Sequence, residues 1–495
     1  MFKTVKRILA GCVALALIAG AVASPVSSVY AQKRDTTNAP GTWGSAILIQ
    51  NIGTATLLAS EYSIEFYKTD GTLALTFTPP STANIAAGAT QEFYIPTAVT
   101  ALAAGQYSGV VSSSVPVKAV VNSSTDRGTA APWSAFSYEG VDATSTATKL
   151  YFPGFYKNYY GFQSELVIQN TGTAAATVQA TFYNGHTGAA VGPVALGSIP
   201  SYAAVTFSGN DTLFSGLASG TSDSIWGVVV ESTNGMSLAG VSNIWTESVT
   251  DAGVASYNAL TAGSQTLYAA AVYNQYYGFV SSLTIQNLSA TETATGVITF
   301  SNGVTQNFSI GSNKVAEYFV PNIPGIGTGT ANQLLSAKVV ATSGSLAGIV
   351  NIQRKTRGSL SASDPTNPAL GSYTLATAAA TSVRVPAVFS NYFGYFTAVT
   401  VMNAGTQSAE ITLTYADGTT WKQTAGAGMT VNFSHLPGSA DNKLGTKQTG
   451  GTVSSTQPLV VVIQHNTDSA LPSANLAKFS PNDFLFALSG FPVTP

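Results

Sequence analysis

An apolar strand that ends in asparagine returns four times along this chain, and it limits the fold more than any other feature. The four asparagines stand 119, 117 and 116 residues apart: Asn51, Asn170, Asn287 and Asn403. The repeats of a solenoid are much shorter than this interval, whereas an ordinary domain has about this length. We therefore expect four tandem domains, at residues 32–147, 148–264, 265–381 and 382–495.

Alternating apolar residues predict that every repeat is built from short β-strands. Leu166 and Ile168 share one face of the motif strand in the second repeat, and Val178 and Phe182 share one face of the next strand. A period of two residues is typical of a half-buried strand. Turn-forming pairs follow that second strand in all four repeats and predict hairpins. They are Asp70-Gly71, Asn184-Gly185, Asn302-Gly303 and Asp417-Gly418.

Two further predictions concern local geometry. The repeated asparagine is expected to form an Asx turn, and the glycine two residues later is expected to take a positive φ. That glycine is Gly53, Gly172 or Gly405, and Ser289 replaces it in the third repeat. Two late strands of each repeat are expected to pair as a hairpin, for example residues 226–231 with 238–243.

The strand and turn pattern predicts an all-β fold. About seven short strands per repeat, separated by turn residues, indicate an immunoglobulin-like β-sandwich. The linkers span 13, 11 and 11 residues, counted between Tyr138 and Tyr151, Tyr257 and Tyr268, and Tyr373 and Arg384. Such short linkers favour a semi-rigid rod over freely moving domains. The expected molecule is four tandem immunoglobulin-like sandwiches in a semi-rigid rod, preceded by a cleaved signal peptide.

Residues 1–31 have the pattern of a secretory signal peptide. Lys3 and Arg7 belong to a basic segment that precedes an apolar one, and Val29-Tyr30-Ala31 forms a small-residue cleavage site. Ala21-Val22-Ala23 is an alternative cleavage site. We therefore expect a secreted or cell-surface protein.

The cysteine content excludes several kinds of site from the exported chain. Cys12 is the only cysteine, and it leaves with the signal peptide. The exported domains are then expected to have no disulfide, no cysteine nucleophile and no cysteine-ligated metal. Leu9-Ala10-Gly11-Cys12 also has the residue types of a lipoprotein signal, which leaves lipid attachment at Cys12 as an alternative.

Charged residues are scarce, at 8% of the chain, with 20 basic and 22 acidic residues. Because there is no basic patch, binding to nucleic acid through its phosphates is not expected. After the signal peptide, no stretch reaches the roughly 18 apolar residues of a membrane-spanning helix, so no membrane span is expected.

The sequence predicts no catalytic constellation. His186, His435 and His465 are the only histidines, and none stands at a metal-ligand spacing from another ligand. No Gly-x-Ser-x-Gly or His-Glu-x-x-His motif is present. A carboxylate pair that meets only in three dimensions stays open as an alternative. We expect a non-enzymatic protein with no catalytic residue, no metal and no cofactor.

An aromatic motif opens the second, third and fourth repeats. It comprises Tyr156, Tyr159, Tyr160 and Phe162; Tyr273, Tyr276, Tyr277 and Phe279; and Phe389, Tyr392, Phe393 and Tyr395. Exposed rings of this kind stack on sugars, whereas buried rings pack a junction between domains. The motif is missing from the first repeat, which alone has no predecessor. This distribution favours junction packing against the preceding domain, with polysaccharide contact as the alternative.

With these motifs, the chain resembles exported bacterial proteins built of tandem immunoglobulin-like repeats. The resemblance rests on Tyr159-Tyr160-Gly161-Phe162, Ile168-Gln169-Asn170-Thr171-Gly172 and Ala119-Val120-Val121-Asn122. It implies an extracellular or cell-surface location. We therefore expect an exported, non-enzymatic structural or adhesive protein that associates with its own copies or with cell-envelope polymers. The alternative is a secreted carbohydrate-binding array that uses exposed tyrosines to bind polysaccharide.

Overall fold

The computed structural model describes residues 26–27, 42–126, 135–246, 253–326, 332–354, 369–439, 442, 444–467 and 485–493. In these ranges the chain is nearly all β, in antiparallel sheets, as predicted. The described helical segments are single turns at Ala59–Glu61, Ile95–Ala98, Ala143–Ser145, Thr212–Phe214 and Val320–Asn322. Most of the predicted signal peptide, including Cys12, lies outside the described residues.

The strands are numbered in chain order. The first repeat and the segment before it contain β1 (Val26–Ser27), β2 (Thr42–Asn51), β3 (Tyr62–Tyr67), β4 (Leu73–Phe77), β5 (Thr90–Tyr94), β6 (Ser108–Ser113), β7 (Val117–Asp126), β8 (Ala135–Glu139) and β9 (Val141–Asp142). The second contains β10 (Lys149–Tyr159), β11 (Phe162–Asn170), β12 (Ala176–Asn184), β13 (Ala190–Ile199), β14 (Ala204–Ser208), β15 (Ile225–Ser232), β16 (Leu238–Thr246) and β17 (Val254–Asn258).

The other two repeats follow the same order. The third contains β18 (Thr266–Tyr276), β19 (Phe279–Asn287), β20 (Ala294–Phe300), β21 (Thr305–Ile310), β22 (Val315–Phe319), β23 (Gln333–Ala341), β24 (Leu346–Arg354) and β25 (Ala369–Thr374). The fourth contains β26 (Ala380–Ser390), β27 (Tyr395–Asn403), β28 (Ala409–Tyr415), β29 (Thr420–Ala425), β30 (Thr430–Ser434), β31 (Lys447–Thr467), β32 (Phe486–Ser489) and β33 (Phe491–Pro492).

Each repeat forms two antiparallel sheets, which we call sheet I and sheet II. In the second repeat, sheet I has the order β13-β12-β15-β10 and sheet II has the order β14-β11-β16-β17. The third repeat has the same two orders, and a buried apolar core fills the space between the sheets. The strand order is not that of an immunoglobulin constant domain, in which the first strand shares a sheet with the second. Here the first strand, β10, lies beside the sixth, β15.

The predicted late hairpin is wrong. The strand β15 pairs with β10 and β12 in sheet I. The strand β16 pairs with β11 and β17 in sheet II. The connection between β15 and β16 therefore crosses from one sheet to the other. In the fourth repeat, β31 runs through both sheets as one strand. A turn signal between two apolar runs is common to a hairpin and to a crossing of this kind, so the sequence pattern did not distinguish them.

The repeated asparagine forms the predicted Asx turn. The side-chain oxygen of Asn170 accepts a hydrogen bond from the backbone N–H of Gly172 at 2.9 Å, and its amide donates to two carbonyl groups. The prediction for the glycine is wrong, because Gly53, Gly172 and Gly405 do not have a positive φ. A Cβ at Gly172 would lie 3.1 Å from the Met236 sulfur, so close packing explains the small residue.

The predicted turn pairs do lie in hairpins, which join β3 to β4, β12 to β13, β20 to β21 and β28 to β29. These loops are longer than two residues. Gly71, Gly303 and Gly418 have the positive φ that ends each turn, whereas in the second repeat Gly188 has it instead of Gly185.

A segment upstream of the first repeat completes its sheet I. Val26 and Ser27 pair with Val111 and Val110 of β6 on one side and with β9 on the other. In the fourth repeat, β26 has the same two kinds of neighbour, β31 and β33. The strand β1 therefore occupies the place of a first strand, although it lies within the predicted signal peptide.

The four repeats close into a ring. Late strands of the repeats contact each other in cyclic order: β8 with β17, β17 with β25, β25 with β32, and β32 with β8. Hydrogen bonds also join the first and last repeats, such as that from Gln50 Nε2 to the Gly451 carbonyl at 3.1 Å. The predicted semi-rigid rod is therefore wrong, because a rod would keep the first and fourth repeats apart.

Apolar residues on the second face of sheet II explain the closure. Leu48 and Val120 point away from the core of the first repeat, yet both are fully buried in one cluster with Phe389 of the fourth repeat. A rod would separate this face from the residues of the fourth repeat that cover it. Burial is worth about 25 cal/mol per Å² of apolar surface, which favours the ring.

Polar groups lie where these four late strands, β8, β17, β25 and β32, meet. The Asn258 side chain accepts a hydrogen bond from the Glu139 backbone N–H at 3.0 Å and donates one to the Glu139 carbonyl at 2.7 Å. The Thr374 and Ser489 hydroxyl groups lie 3.3 Å apart. The Glu139 carboxylate accepts a hydrogen bond from the Ser489 backbone N–H, which joins the first and fourth repeats. Burial of the Glu139 carboxyl raises its pKa to about 7, against the opposing effect of the hydrogen bond from the Ser489 N–H.

Candidate functional site

The aromatic motif forms a tight hairpin at one end of each of three repeats. Tyr159 at the end of β10 pairs with Phe162 at the start of β11, so the turn has only two residues. Both have a positive φ, 49° for Tyr160 and 88° for Gly161, as a type I′ turn requires. The third and fourth repeats have the same turn at Tyr277-Gly278 and Phe393-Gly394. We call these three turns the aromatic tips.

The first aromatic residue of the motif is buried against the following repeat. The Tyr156 hydroxyl accepts a hydrogen bond from the amide of Asn351 at 2.7 Å and lies 3.2 Å from the Thr284 hydroxyl. Tyr273 donates its hydroxyl proton to Gln464 of the fourth repeat. Burial raises the pKa of both tyrosines, so both hydroxyl groups stay protonated and remain able to donate.

In the fourth repeat the first aromatic residue is phenylalanine instead of tyrosine, and the residue it meets in the first repeat is also apolar. Phe389 has no hydroxyl, and it packs in an apolar cluster with Leu48 of the first repeat. Leu48 and Thr284 hold the same place in the motif strand, three residues before Asn51 and Asn287. Tyrosine therefore meets threonine at one junction, and phenylalanine meets leucine at another. The interfaces are chemically matched pair by pair.

The second aromatic residue is half-buried and also reaches the following repeat. Tyr159 donates its hydroxyl proton to the Glu317 carboxylate at 2.9 Å. Tyr276 lies beside Asn432 of the fourth repeat, and Tyr392 lies beside Glu92 of the first repeat. Burial raises the pKa of the carboxyl groups of Glu92 and Glu317. These contacts anchor each hairpin to its neighbour in the ring.

The third aromatic residue stands in solvent. The exposed fractions are 77% for Tyr160, 68% for Tyr277 and 79% for Phe393. Each exposed ring lies edge-on to the anchored tyrosine before it, with ring centroids 4.7 Å apart in all three repeats. The tips therefore present rings of defined orientation.

The fourth aromatic residue supports the hairpin from below. Phe162 lies 6.1 Å from Tyr156, and Phe279 lies 5.9 Å from Tyr273, measured between ring centroids. Tyr395 packs edge-on against Phe486 at 5.6 Å. All three of these residues are half-buried.

The structure separates residues that the sequence argument treated as one group. Two rings of each motif contact a neighbouring repeat, and one ring is exposed. The neighbour is the following repeat, and for the fourth repeat it is the first, so the expected contact with the preceding domain has the wrong direction. The sequence did contain a sign that another repeat covers the first one, because Leu48 makes the second face of its motif strand apolar.

The histidines do not assemble a site. His186 is exposed and lies 2.8 Å from the Asp223 carboxylate. His435 bonds to the Tyr415 hydroxyl and the Thr397 carbonyl, and burial lowers its pKa to about 4. His465 is fully buried beside Phe389, and burial lowers its pKa to about 3. In the described ranges, no cluster of three or more metal-ligating side chains occurs.

One cleft was not expected from the sequence. It has a volume of about 420 Å³ and opens where the fourth repeat meets the first. Arg384 reaches into it and donates hydrogen bonds to the Thr452 hydroxyl at 2.7 Å and to the Ile52 carbonyl at 3.5 Å. The bond to Thr452 lies within the fourth repeat and the bond to Ile52 crosses to the first, so the arginine belongs to the junction that closes the ring.

Comparisons with known proteins give only weak likenesses. No family model matches the chain, and no curated protein matches it. Protein 1070 of Thermotoga maritima is 14% identical over 23% of this chain and 96% of its own, with a TM-score of 0.18. A tetra-tandem repeat from the extending region of a large adhesion protein is 13% identical over 96% and 100%, with a TM-score of 0.10.

The pilus backbone of Streptococcus pneumoniae is 8% identical over 72% of this chain and 83% of its own, with a TM-score of 0.13. These TM-scores are too low to support an argument about fold or function. In the described part of the chain, no helix has the length and apolarity to cross a bilayer.

Proposed function

We propose that this chain is an exported, non-enzymatic adhesive component of the cell surface that acts as a single ring. The observation that carries the proposal is that three anchored hairpins leave their tip rings in solvent while every junction surface is used inside the ring. Head-to-tail surfaces make filaments when they stay open and rings when they close. A closed ring therefore favours adhesion by discrete molecules over polymerisation through the repeat interfaces.

Location and assembly test this proposal together. The full-length protein, tagged at its C-terminus and expressed in a bacterium that exports it, is expected in the envelope fraction and accessible to protease added to intact cells. The purified protein is expected to be monomeric in sedimentation. Retention in the cytoplasm would contradict export, and filaments built by the repeat interfaces would contradict the closed ring.

A second candidate function is carbohydrate binding through exposed tyrosines. The exposure of Tyr160 and Tyr277 favours it, because both rings are accessible for stacking. The two functions are compatible, since an adhesive protein needs a ligand on the surface it attaches to.

A further inference from the structure

Three aromatic side chains stand at backbone positions that suit them poorly. Tyr160, Tyr277 and Phe393 have φ values of 49°, 49° and 51°, in the left-handed region that glycine and asparagine adopt most easily. Asparagine is the common residue at this place in a type I′ turn. Folding therefore does not require an aromatic residue here, and the same costly choice occurs at all three tips. Unfavourable backbone that recurs in this way points to function.

The tips are preorganised for contact. Each exposed ring rests on a half-buried tyrosine that lies against the next repeat, as Tyr160 rests on Tyr159, whose hydroxyl is hydrogen-bonded to Glu317. Little conformational freedom is left for a ligand to remove, which lowers the entropic cost of binding.

The three tips lie on one side of the molecule. The hairpins β10–β11, β18–β19 and β26–β27 are equivalent parts of successive repeats, and each contacts the next repeat in the same way. A cyclic arrangement of equivalent units places equivalent parts at the same end of the ring. The tips therefore lie at three equivalent positions, at the same level around the ring.

The chemistry around the tips suits a neutral sugar. Amide and hydroxyl groups flank the rings: Asn332 accepts from the Tyr277 N–H at 3.1 Å, and Asn391 donates to Thr446 at 3.4 Å. An aromatic face packs on the C–H face of a pyranose, and neighbouring amides bond its hydroxyl groups. With only 8% charged residues, the chain is a poor match for an anionic polymer.

We propose that the rings of Tyr160, Tyr277 and Phe393 form a three-point binding surface for a neutral polysaccharide. The proposal rests on the adhesive function and names the class of its ligand. A single ring on a single sugar binds weakly. A chain that touches one tip finds the others at a high effective concentration, so a polymer binds and a monosaccharide does not.

Glycine variants test the surface without loss of the turn. Because glycine prefers a positive φ, the triple variant Tyr160→Gly, Tyr277→Gly, Phe393→Gly is expected to fold and to melt at the same or a higher temperature. Affinity electrophoresis of the full exported chain in gels containing β-glucan, α-glucan, mannan or galactan measures binding. We expect at least one polymer to retard the wild-type protein, with a loss of about tenfold in affinity per single variant and at least about 100-fold for the triple variant.

A matched control lies at the opposite end of the fourth repeat. Met429 is 44% exposed, and its carbonyl accepts a hydrogen bond from Asn403 at the far end of β27. The variant Met429→Ala also removes an exposed apolar side chain, and it is expected to leave polysaccharide binding unchanged.

Three results would overturn the proposal. They are no retardation of the wild-type protein by any of the four polymers, unchanged retardation of the triple variant, and tip-dependent binding to phosphatidylglycerol vesicles in place of polysaccharide. Surface location is measured separately. A protein that reaches the cell surface without binding these polymers leaves the adhesive function standing and removes only the ligand class.

Discussion

At the scale of single residues, the junctions between repeats depend on matched pairs rather than on general apolarity. The Tyr156 hydroxyl is buried with two partners in the next repeat, whereas Phe389 meets Leu48 at the equivalent place. A buried polar group that loses its partner costs more than an apolar pair that replaces both partners. The sequence showed both side chains but not their partners, because each partner lies more than 100 residues away.

Tyr156→Phe is expected to lower the free energy of unfolding by about 1–3 kcal/mol, because it leaves the Thr284 hydroxyl and the Asn351 amide without their buried partner. Adding Thr284→Leu reproduces the Phe389–Leu48 pair and is expected to recover part of the loss. Urea denaturation of the single and double variants measures both effects. A double variant that is as unstable as the sum of its single changes would contradict the matched-pair account.

The buried histidines of the fourth repeat predict a pH effect with a definite sign. Their pKa values in the folded protein are lowered to about 4 and about 3, from about 6.5 in the unfolded chain. Below pH 6.5 the unfolded chain binds protons that the folded protein does not. Each histidine therefore removes about 1.4 kcal/mol of stability per pH unit as the pH falls from 6.5 toward its folded pKa.

Buried carboxyl groups have the opposite effect on stability as the pH falls. The pKa values of Glu92, Glu139 and Glu317 are raised in the folded protein, so their protonation stabilises the folded state. The test is therefore a difference between proteins. His465→Ile introduces the residue that the third repeat has at this position, Ile352. As the pH falls below 6.5, the free energy of unfolding of this variant is expected to rise relative to that of the wild type by about 1.4 kcal/mol per pH unit. His186→Gln, at an exposed site, is the control. A wild-type-minus-variant difference that does not change with pH would contradict the assignment.

At the scale of elements, the strands were predictable and their partners were not. Alternation and turn residues located the motif strands and the four hairpins. The late strands were also located, but they enter opposite sheets, because the same short connection serves a hairpin and a crossing. Similarly, Tyr160-Gly161 is the tightest hairpin turn of its repeat. It was not predicted from the sequence, because the hairpin signals used were Asn-Gly and Asp-Gly pairs and this turn begins with an aromatic residue.

The strand β1 predicts where the signal peptide is removed. Cleavage after Ala31 would discard Val26 and Ser27 and leave β6 and β9 without the strand between them. Residues 32–41 carry Lys33, Arg34 and Asp35 and lack the large apolar side chains of a first strand. We therefore expect the mature protein to begin at Ser24, after the alternative site Ala21-Val22-Ala23. N-terminal sequencing of the exported protein measures this, and a mature terminus at Gln32 would contradict it.

At the scale of the whole molecule, ring closure gives each repeat two neighbours and leaves sheet II of the first repeat covered. Closure depends on residues at opposite ends of the chain, such as Leu48 and Phe389. The linker lengths allowed a ring as well as a rod, because short linkers restrict motion but do not set the direction in which successive domains turn.

Leu48→Ala is expected to destabilise the protein by about 2–5 kcal/mol, since it opens a cavity at the junction of the first and fourth repeats. Leu73→Ala is the matched control, because Leu73 is 50% exposed and its loss is expected to cost less than about 0.5 kcal/mol. Chemical denaturation measures both changes. In a rod, Leu48 would be exposed, and the two variants would have similar small effects.

The sequence by itself determined the β-strands, the Asx turns and the positions of the aromatic motif. These follow from alternation and turn propensity, which act over a few residues. Only the tertiary structure decided that the repeats form a ring, which rings of each motif are buried, and how far the pKa values of Glu139 and the two histidines move. An apolar face in a sequence predicts that another surface covers it. The sequence pattern does not identify that surface, because the covering residues lie hundreds of positions away and local patterns extend over only a few residues.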